Sequence, residues 1–283
     1  MRASGSRVMT SLRSILCAPA RALVIGALAA GALLVSDASA QEGRGQGRGR
    51  GAGPAGPAPT ARGTAPKDFT GYWVSTVTEH WHLRMLMPPK GDYAMLPLNP
   101  AGRKIADGYD PAKDVAEGNQ CKSYGPPALM RIPGRIYLHW VDDNTLQLDA
   151  DSGTQTRTFR FGNAPAPAGQ AASVQGSSTA AFEGLGARGR GLPPKGTGQL
   201  RVRTTQMLPG YLRKNGAPYS ERATLEEYFD TFTEPNGDNW LVLTSIVTDP
   251  QYLTGPYAST VPFKKIPDRQ GWDPTPCRVD EPR

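Results

Sequence analysis

Cysteine and histidine are scarce in this chain, which has three of each among its 283 residues. The sequence also lacks the G-x-S-x-G, P-loop and H-E-x-x-H motifs, which excludes the hydrolase and nucleotide-binding templates that carry a recognisable local sequence. A G-x-G-x-x-G match at Gly184, Gly186 and Gly189 lies in low-complexity sequence with no preceding strand and no following helix, so it does not indicate a dinucleotide site. We therefore predict no cofactor.

A hydrophobic run long enough to span a bilayer is missing at the N-terminus. The apolar run at residues 22–35 has 14 residues, whereas a membrane-spanning helix needs roughly 20. Four arginines precede the run, and Ala38 and Ala40 place small side chains where a signal peptidase reads. We predict that residues 1–40 are a cleaved secretory signal, with a membrane anchor as the alternative. The mature protein is then periplasmic or secreted, with no membrane span after cleavage.

The part of the chain expected to fold lacks an excess of either charge. The formal net charge is +7, but eight of the 32 basic residues and only two of the 25 acidic ones precede Lys67. Residues 67–283 are therefore nearly neutral. Because phosphate recognition requires a basic face, this balance excludes a nucleic acid as the partner.

The cysteines that remain after export form an even pair. Cys17 is removed with the predicted signal, which leaves Cys121 and Cys277 in an oxidising compartment. Such a pair predicts a disulfide, which stabilises a fold by restricting the unfolded chain. A redox or metal-binding pair is the alternative, but the C-x-x-C spacing typical of that chemistry is absent.

Two segments have a biased composition. Residues 41–66 alternate Gly with Arg and then run through Ala, Pro and Thr, with no apolar side chain larger than Ala. Such a segment cannot bury enough surface to offset the entropy of ordering it, so we predict a disordered linker. Residues 162–198, rich in Ala, Gly and Pro, predict a long inserted loop with one short candidate strand near residues 174–182. The folded domain is expected at residues 67–283.

Alternation of apolar and polar residues dominates that domain and predicts strands. They are expected at residues 73–87, 135–141, 146–150, 154–161, 200–207, 223–233, 240–248 and 259–265. No stretch of ten or more residues has helical periodicity, and 27 prolines disfavour long helices. Consecutive hairpins predict an all-β fold, an antiparallel sheet either closed into a barrel or paired as a sandwich. At residues 225–232 the alternation does not separate an inner face from an outer one.

Two motifs favour the barrel. The segment Asp68-Phe69-Thr70-Gly71-Tyr72-Trp73 resembles the G-x-W opening strand of lipocalin-like (calycin-type) barrels. Residues 225–229, a Gly-containing turn and residues 240–253 resemble the second half of secreted bacterial lipocalin-like proteins of unknown function. The resemblance covers roughly residues 68–277 and implies an antiparallel lipocalin-like barrel whose interior holds a small apolar molecule, and it implies no particular activity.

One carboxylate lies on an otherwise apolar strand face. Glu79 is in phase with three apolar residues of the expected first strand, namely Trp73, Trp81 and Met85. An unpaired inward charge is costly and its pKa would rise, so Glu79 requires a partner or a chemical role. Arg157 is the candidate partner. A buried ion pair is one interpretation, and a ligand-reading or acid/base pair is the other.

Two histidines form an H-x-H pattern. On a strand, His80 and His82 would point to the same side, as metal ligands in β-barrels do. Their face is opposite to the apolar one, which favours contact with solvent. We therefore predict no metal site there.

These observations give one leading hypothesis and two alternatives. We predict an exported barrel that binds a small, mostly apolar molecule in its interior. Its walls are expected to be Trp73, Trp81, Met85 and Trp140, and its polar readers Glu79 and Arg157. The alternatives are an acid/base enzyme of the isomerase or cyclase type that uses Glu79, and a structural or interaction module with a filled core.

Overall fold

In the computed structural model of the chain, the structure describes residues 58–162, 171–184 and 192–283. The predicted signal and residues 41–57 of the predicted linker lie outside these ranges. The strands are β1 (Gly71–Ser75), β2 (Arg135–Asp142), β3 (Thr145–Ala150), β4 (Gln155–Phe161), β5 (Ser177–Glu183), β6 (Gln199–Thr205), β7 (Gly210–Tyr211), β8 (Pro218–Tyr219), β9 (Thr224–Thr233), β10 (Asn239–Thr248) and β11 (Tyr257–Ile266). The helices are α1 (Ala61–Thr64), α2 (Trp81–Arg84), α3 (Pro100–Asp107), α4 (Pro111–Ala116) and α5 (Pro126–Leu129), with a 3-10 helix at Gln120–Tyr124.

Nine of the strands close into a barrel in the order β1-β11-β10-β9-β6-β5-β4-β3-β2, and β2 pairs with β1 to complete the ring. Every neighbouring pair is antiparallel except β4 and β5, which run parallel. The short strands β7 and β8 form a separate two-stranded sheet. The all-β prediction is confirmed, and of the two architectures the barrel is the observed one.

The barrel core follows from the period-two pattern of each strand. On β10, Leu241, Leu243, Ser245 and Val247 are buried and point inward, while Val242, Thr244 and Ile246 are partly exposed. On β9 the inner face carries Glu227 and Phe229. The inward side chains of the described strands form one continuous cluster, which includes Leu138, Leu148, Phe159, Leu200, Phe229 and Phe263.

One end of the barrel is covered by what we call the cap, residues 76–134 and 206–223. The cap contains α2 to α5, the 3-10 helix and the β7–β8 hairpin. A second hydrophobic cluster lies between the cap and the adjacent strand ends, and it includes Leu98, Met207, Tyr219, Leu225, Val247 and Tyr257. Among the described residues no helix is both long and apolar enough to cross a membrane.

The predicted strand at residues 73–87 is wrong beyond Ser75. β2 begins at Arg135, which pairs with Val74, so the chain beyond Ser75 has no β2 residue to pair with. His80 then adopts a left-handed conformation (φ 49°), and Trp81–Arg84 forms the helical turn α2. Alternation in the sequence continues past Ser75, but β1 keeps a partner only on the β11 side there. Thr76 N–H still donates to the carbonyl of Pro262 at 2.9 Å before the chain leaves the sheet.

Both segments of biased composition contain more structure than composition indicates. The candidate strand near residues 174–182 is β5, which belongs to the barrel wall. At the end of the predicted linker, Thr60 caps α1, and Arg62 N–H donates to the carbonyl of Asp143 at 2.9 Å. Small side chains allow this approach, since Ala61 and Ala65 pack against the barrel core. The described part of residues 41–66 is therefore ordered.

The predicted disulfide is confirmed, because Cys121 is bonded to Cys277. The bond joins the 3-10 helix of the cap to the C-terminal segment, residues 267–283. It links residues 156 positions apart. The cap is thus covalently attached to the segment that follows the last barrel strand.

Candidate functional site

The inner polar groups of the barrel form hydrogen bonds with each other, and Arg157 Nε is the exception among the atoms of this pair. The Arg157 guanidinium donates through Nη1 to Glu227 Oε1 at 2.9 Å and through Nη2 to the second carboxylate oxygen and to Thr204 Oγ1 at 3.2 Å. The hydroxyl of Thr204 lies 2.8 Å from that of Ser178. Arg157 and Glu227 are both fully buried. The predicted pairing of Arg157 with Glu79 is therefore wrong, and its inward carboxylate is Glu227.

Glu79 lies in the cap, where it pairs with Arg84. Arg84 Nη1 donates to Glu79 Oε1 at 3.0 Å, and the Thr78 hydroxyl donates to the other carboxylate oxygen at 2.7 Å. Arg84 also donates to the Ser75 hydroxyl and to the carbonyl of Arg131. Burial lowers the pKa of Arg84, and the charge of Glu79 opposes this effect. Glu79 thus supplies the counter-charge of a buried arginine.

Two adjacent cavities lie beside this pair, where the cap meets β10 and β11. The larger one, which we call the rim cleft, has a volume of about 490 Å³ and is lined by Thr78, Glu79, His80, Met95, Arg131, Arg213, Val242, Tyr257, Ala258, Ser259, Thr260 and Pro262. The smaller one, the side cavity, holds about 30 Å³ and is lined mainly by cap residues, including Leu83, Leu86, Met87, Ser123, Arg131, Ile132, Arg213 and Lys214. Arg131 and Arg213 line both cavities.

Arg213 is the unusual group of this region. Arg213 is only 6% exposed. Its Nε and Nη1 atoms are buried without a hydrogen-bond partner in the described part of the chain. Burial lowers the pKa of the Arg213 guanidinium. The charge and the hydrogen bond of Tyr257 oppose this effect, and the positive charge of Arg131 adds to it. A buried guanidinium without acceptors is costly. An anion in either cavity would supply a counter-charge to this guanidinium.

Lys214, the next residue, is a further buried cation of the cap. Its ammonium donates to the hydroxyl of Tyr124 at 2.6 Å and to the carbonyl of Glu281 at 2.7 Å. Burial lowers the pKa of Lys214 to about 8, with the charge of Glu281 acting in the opposite direction. Both acceptors of this ammonium are neutral oxygens, so the cap does not pair Lys214 with a carboxylate through these bonds.

The structure divides the predicted ligand-binding residues into three groups. Trp73 and Trp140 lie in the barrel core on the side of β1 and β2, where Trp73 is buried and Trp140 packs against Phe161 with ring centroids 5.4 Å apart. Arg157 lies in the barrel interior. Glu79, Trp81 and Met85 are in the cap. The five main cavities formed by the described residues include no side chain of β3, β4, β5 or β6.

The two histidines of the H-x-H pattern are not on a strand. His80 lies at the start of α2 and His82 within it, so their side chains do not share a strand face. The described residues contain no group of three or more His, Cys, Asp or Glu side chains placed to hold a metal ion.

Sequence reasoning missed Arg213 and Arg131. The stretch Arg213-Lys214-Asn215-Gly216 has the composition of an exposed polar turn, but its first three residues are all buried. Gly216 has a positive φ and lies against the Tyr109 ring, where a Cβ atom would be 2.3 Å from the ring carbons. The turn is therefore folded into the cap, and no feature of its local sequence indicates that burial.

The fold is a closed nine-strand barrel with a cap and a cationic cleft at one rim. Comparisons with protein-family models, with curated proteins and with solved structures found no match to this chain.

Proposed function

We propose that the protein binds a small anionic molecule in the rim cleft, with Arg213 as the principal anchor. The observation that carries this proposal is the buried guanidinium of Arg213, two of whose nitrogens, Nε and Nη1, have no acceptor in the described residues. Arg presents its donors in a planar fork that fits a carboxylate or phosphate. A bound anion would provide a counter-charge for this buried guanidinium.

Binding outside the barrel interior is favoured by the packing of that interior. The inward side chains form a continuous cluster, and the charged pair inside it, Arg157 with Glu227, is mutually satisfied. The rim cleft, by contrast, is open and has a volume of about 490 Å³, which lies within the usual range for small-molecule sites. The ligand-binding function predicted from the sequence is therefore proposed again here, at a different place.

Binding is also favoured over acid/base catalysis by Glu79. Its two carboxylate oxygens accept hydrogen bonds from Arg84 and Thr78. A general base must reach a substrate proton with a free lone pair, and this carboxylate is engaged by a buried arginine. We assign Glu79 the role of orienting Arg84, which lines the side cavity.

We further propose that the protein acts outside the cytoplasm, as a lipocalin-like barrel. The predicted signal at residues 1–40 is the primary support. The disulfide between Cys121 and Cys277 is consistent with it, since such bonds persist in oxidising compartments. N-terminal sequencing of the mature protein from an envelope fraction tests the export proposal, which predicts a chain beginning at Gln41.

Calorimetric titration tests the anion proposal. Inorganic phosphate, acetate and benzoate serve as probes against the mature wild-type chain and Arg213→Gln. A charge-assisted hydrogen bond contributes about 1.5–3 kcal/mol, so Arg213→Gln should weaken binding about 10- to 100-fold. Arg203→Gln, on the outer barrel wall, is the matched control and should bind as wild type does. Unchanged affinity in a folded Arg213→Gln variant would overturn the proposal. So would the absence of binding by every probe at concentrations up to about 10 mM, where even weak sites fill.

A further inference from the structure

The cap exposes an unusual number of large apolar side chains within one short segment. Four of them lie between residues 80 and 95, with exposed fractions of 61% for Trp81, 48% for Met85, 53% for Leu86 and 62% for Met95. A cluster of exposed apolar side chains on a soluble protein commonly marks a contact surface. We call these four residues the cap patch.

The cap patch adjoins the two cavities. Met95 lines the rim cleft and Leu86 lines the side cavity. Trp81 and Met85 flank the helical turn whose Leu83 lines the side cavity. A molecule anchored in the cleft is therefore within reach of the patch.

The backbone at both ends of the segment is unusual. His80 and Met95 have positive φ values of 49° and 66°, a region that is strained for non-glycine residues. Both residues line the rim cleft. The conformation that places Met95 in contact with solvent is thus held at an energetic cost, beside the same cavity.

The charges beside the cap patch are mostly positive. Among the described residues that line the two cavities, Arg84, Arg131, Arg213 and Lys214 are cationic and Glu79 is the one acid. Glu79 is engaged by Arg84. The surface therefore combines an apolar patch with a cationic cleft that has a buried guanidinium, two of whose nitrogens lack an acceptor in the described residues, and this complementarity points to an amphipathic anion.

We propose that the ligand of the rim cleft is an amphipathic carboxylate, with its carboxylate at Arg213 and its alkyl or aryl body against the cap patch. The inference rests on the proposed anion-binding function and specifies its ligand class. Each methylene that leaves water for the patch should strengthen binding, because apolar burial is favourable in proportion to area. The buried N–H groups of Arg213 should select the ionised carboxylate over an uncharged analogue.

A chain-length series tests this inference. The mature full chain is titrated with butyrate, hexanoate, octanoate and decanoate, all below their micellar concentrations, and with octanol as the uncharged analogue of octanoate. Affinity should rise about 2- to 4-fold per methylene, and octanoate should bind at least about 10-fold more tightly than octanol. Tryptophan emission should shift on octanoate binding, and Trp81→Phe should abolish that shift.

Two variants locate the contribution of the patch. Trp81→Ala/Met85→Ala should flatten the chain-length dependence, so that octanoate and decanoate lose far more affinity than butyrate does. The matched control, Val141→Ala/Phe232→Ala, removes apolar side chains that are also about half exposed but distant in the fold, and it should keep the wild-type dependence. Thermal unfolding of each variant confirms that it is folded.

The outcomes separate this inference from the proposed function. If butyrate binds in an Arg213-dependent manner but affinity does not rise with chain length, the amphipathic ligand is wrong and the anion site stands. If octanol binds as well as octanoate, the anion site is wrong. Binding seen only with vesicles of anionic phospholipid, or dimerisation that quenches the chain-length effect, would assign the patch to a membrane surface or to a second copy and would overturn the proposal.

Discussion

The barrel interior and the cap each bury an arginine, and the two arginines have opposite surroundings. Arg157 has one unpartnered nitrogen, Nε, but both terminal nitrogens donate to Glu227. Arg213 is nearly as buried, yet its Nε and Nη1 atoms have no partner in the described residues. The barrel thus contains its own counter-ion, whereas the cap places a buried cation beside an open cleft.

This difference separates a structural charge from a functional one. A buried ion pair with good geometry links the two strands that carry it and leaves no uncompensated charge for a ligand to neutralise. A buried cation without a partner lowers stability until an anion binds, so binding and folding become linked at that position. Removing the charges one at a time tests this difference between the two arginines.

The largest effect is expected for the barrel pair. Glu227→Gln leaves the Arg157 charge buried without a counter-charge, which should lower the free energy of unfolding by about 3–5 kcal/mol. Urea unfolding measures the loss. Glu226→Gln, on the outer face of the same strand, should cost about 1 kcal/mol or less. The double variant Arg157→Met/Glu227→Met should recover much of the loss, and a small cost of Glu227→Gln alone would contradict the structural role.

The next effect concerns the link between cap and C-terminal segment. Replacing Cys121 and Cys277 with Ser should lower the free energy of unfolding by about 2–4 kcal/mol, since the bond closes a long loop. Urea unfolding with and without a reductant measures it. Wild type in reductant should match the variant, and the variant itself should not respond to reductant.

A smaller effect should appear as a dependence on pH in the cap. Lys214 has a pKa of about 8 in the folded protein against an ordinary value of 10.5. Between these values the unfolded chain retains a proton that the folded protein has lost, so stability rises with pH through this window. We expect a rise of about 1–3 kcal/mol, measured by urea unfolding from pH 7.5 to 10.5. Lys214→Met should remove the rise, whereas Lys90→Met, on the surface, should retain it.

The smallest effect on stability is expected for Arg213, and its sign is opposite to that of Glu227. Arg213→Met removes an uncompensated buried charge and keeps most of the side-chain volume. The free energy of unfolding should stay constant or increase by about 1 kcal/mol, while anion binding is lost. A decrease of more than about 2 kcal/mol would show that Arg213 has a structural partner and would remove the contrast with Arg157.

The barrel was more predictable than the cap for a physical reason. When one face of a strand is buried and the other is exposed, apolar and polar residues alternate along its sequence. This alternation identified β2, β3, β4, β6, β9, β10 and β11. The inner and outer faces of β9 could not be assigned from the sequence, because its inner face contains Glu227 beside Phe229. A charge that is neutralised by a distant strand is indistinguishable, in local sequence, from a charge in solvent.

The cap and its site were not predictable from local pattern. The helices of the cap are short, and none reaches the ten residues over which helical periodicity becomes visible. Arg131 and Arg213 belong to segments 82 positions apart in the printed sequence and meet only through tertiary packing. Of the predicted site residues, Glu79 lies in the cleft and Trp81 and Met85 lie beside it, although the strand from which they were inferred is not present.

The single parallel pairing in the barrel has a consequence of parity. Strand direction alternates around a ring only if the number of strands is even, so a ring of nine must contain one pair that does not alternate, here β4 with β5. Without β5, the remaining eight strands follow one another around the ring in chain order, each reversing the last. β5 is therefore an additional strand inserted between β4 and β6. A barrel widens with each strand added, and the additional circumference lies next to β4 and β6, the strands that carry Arg157 and Thr204.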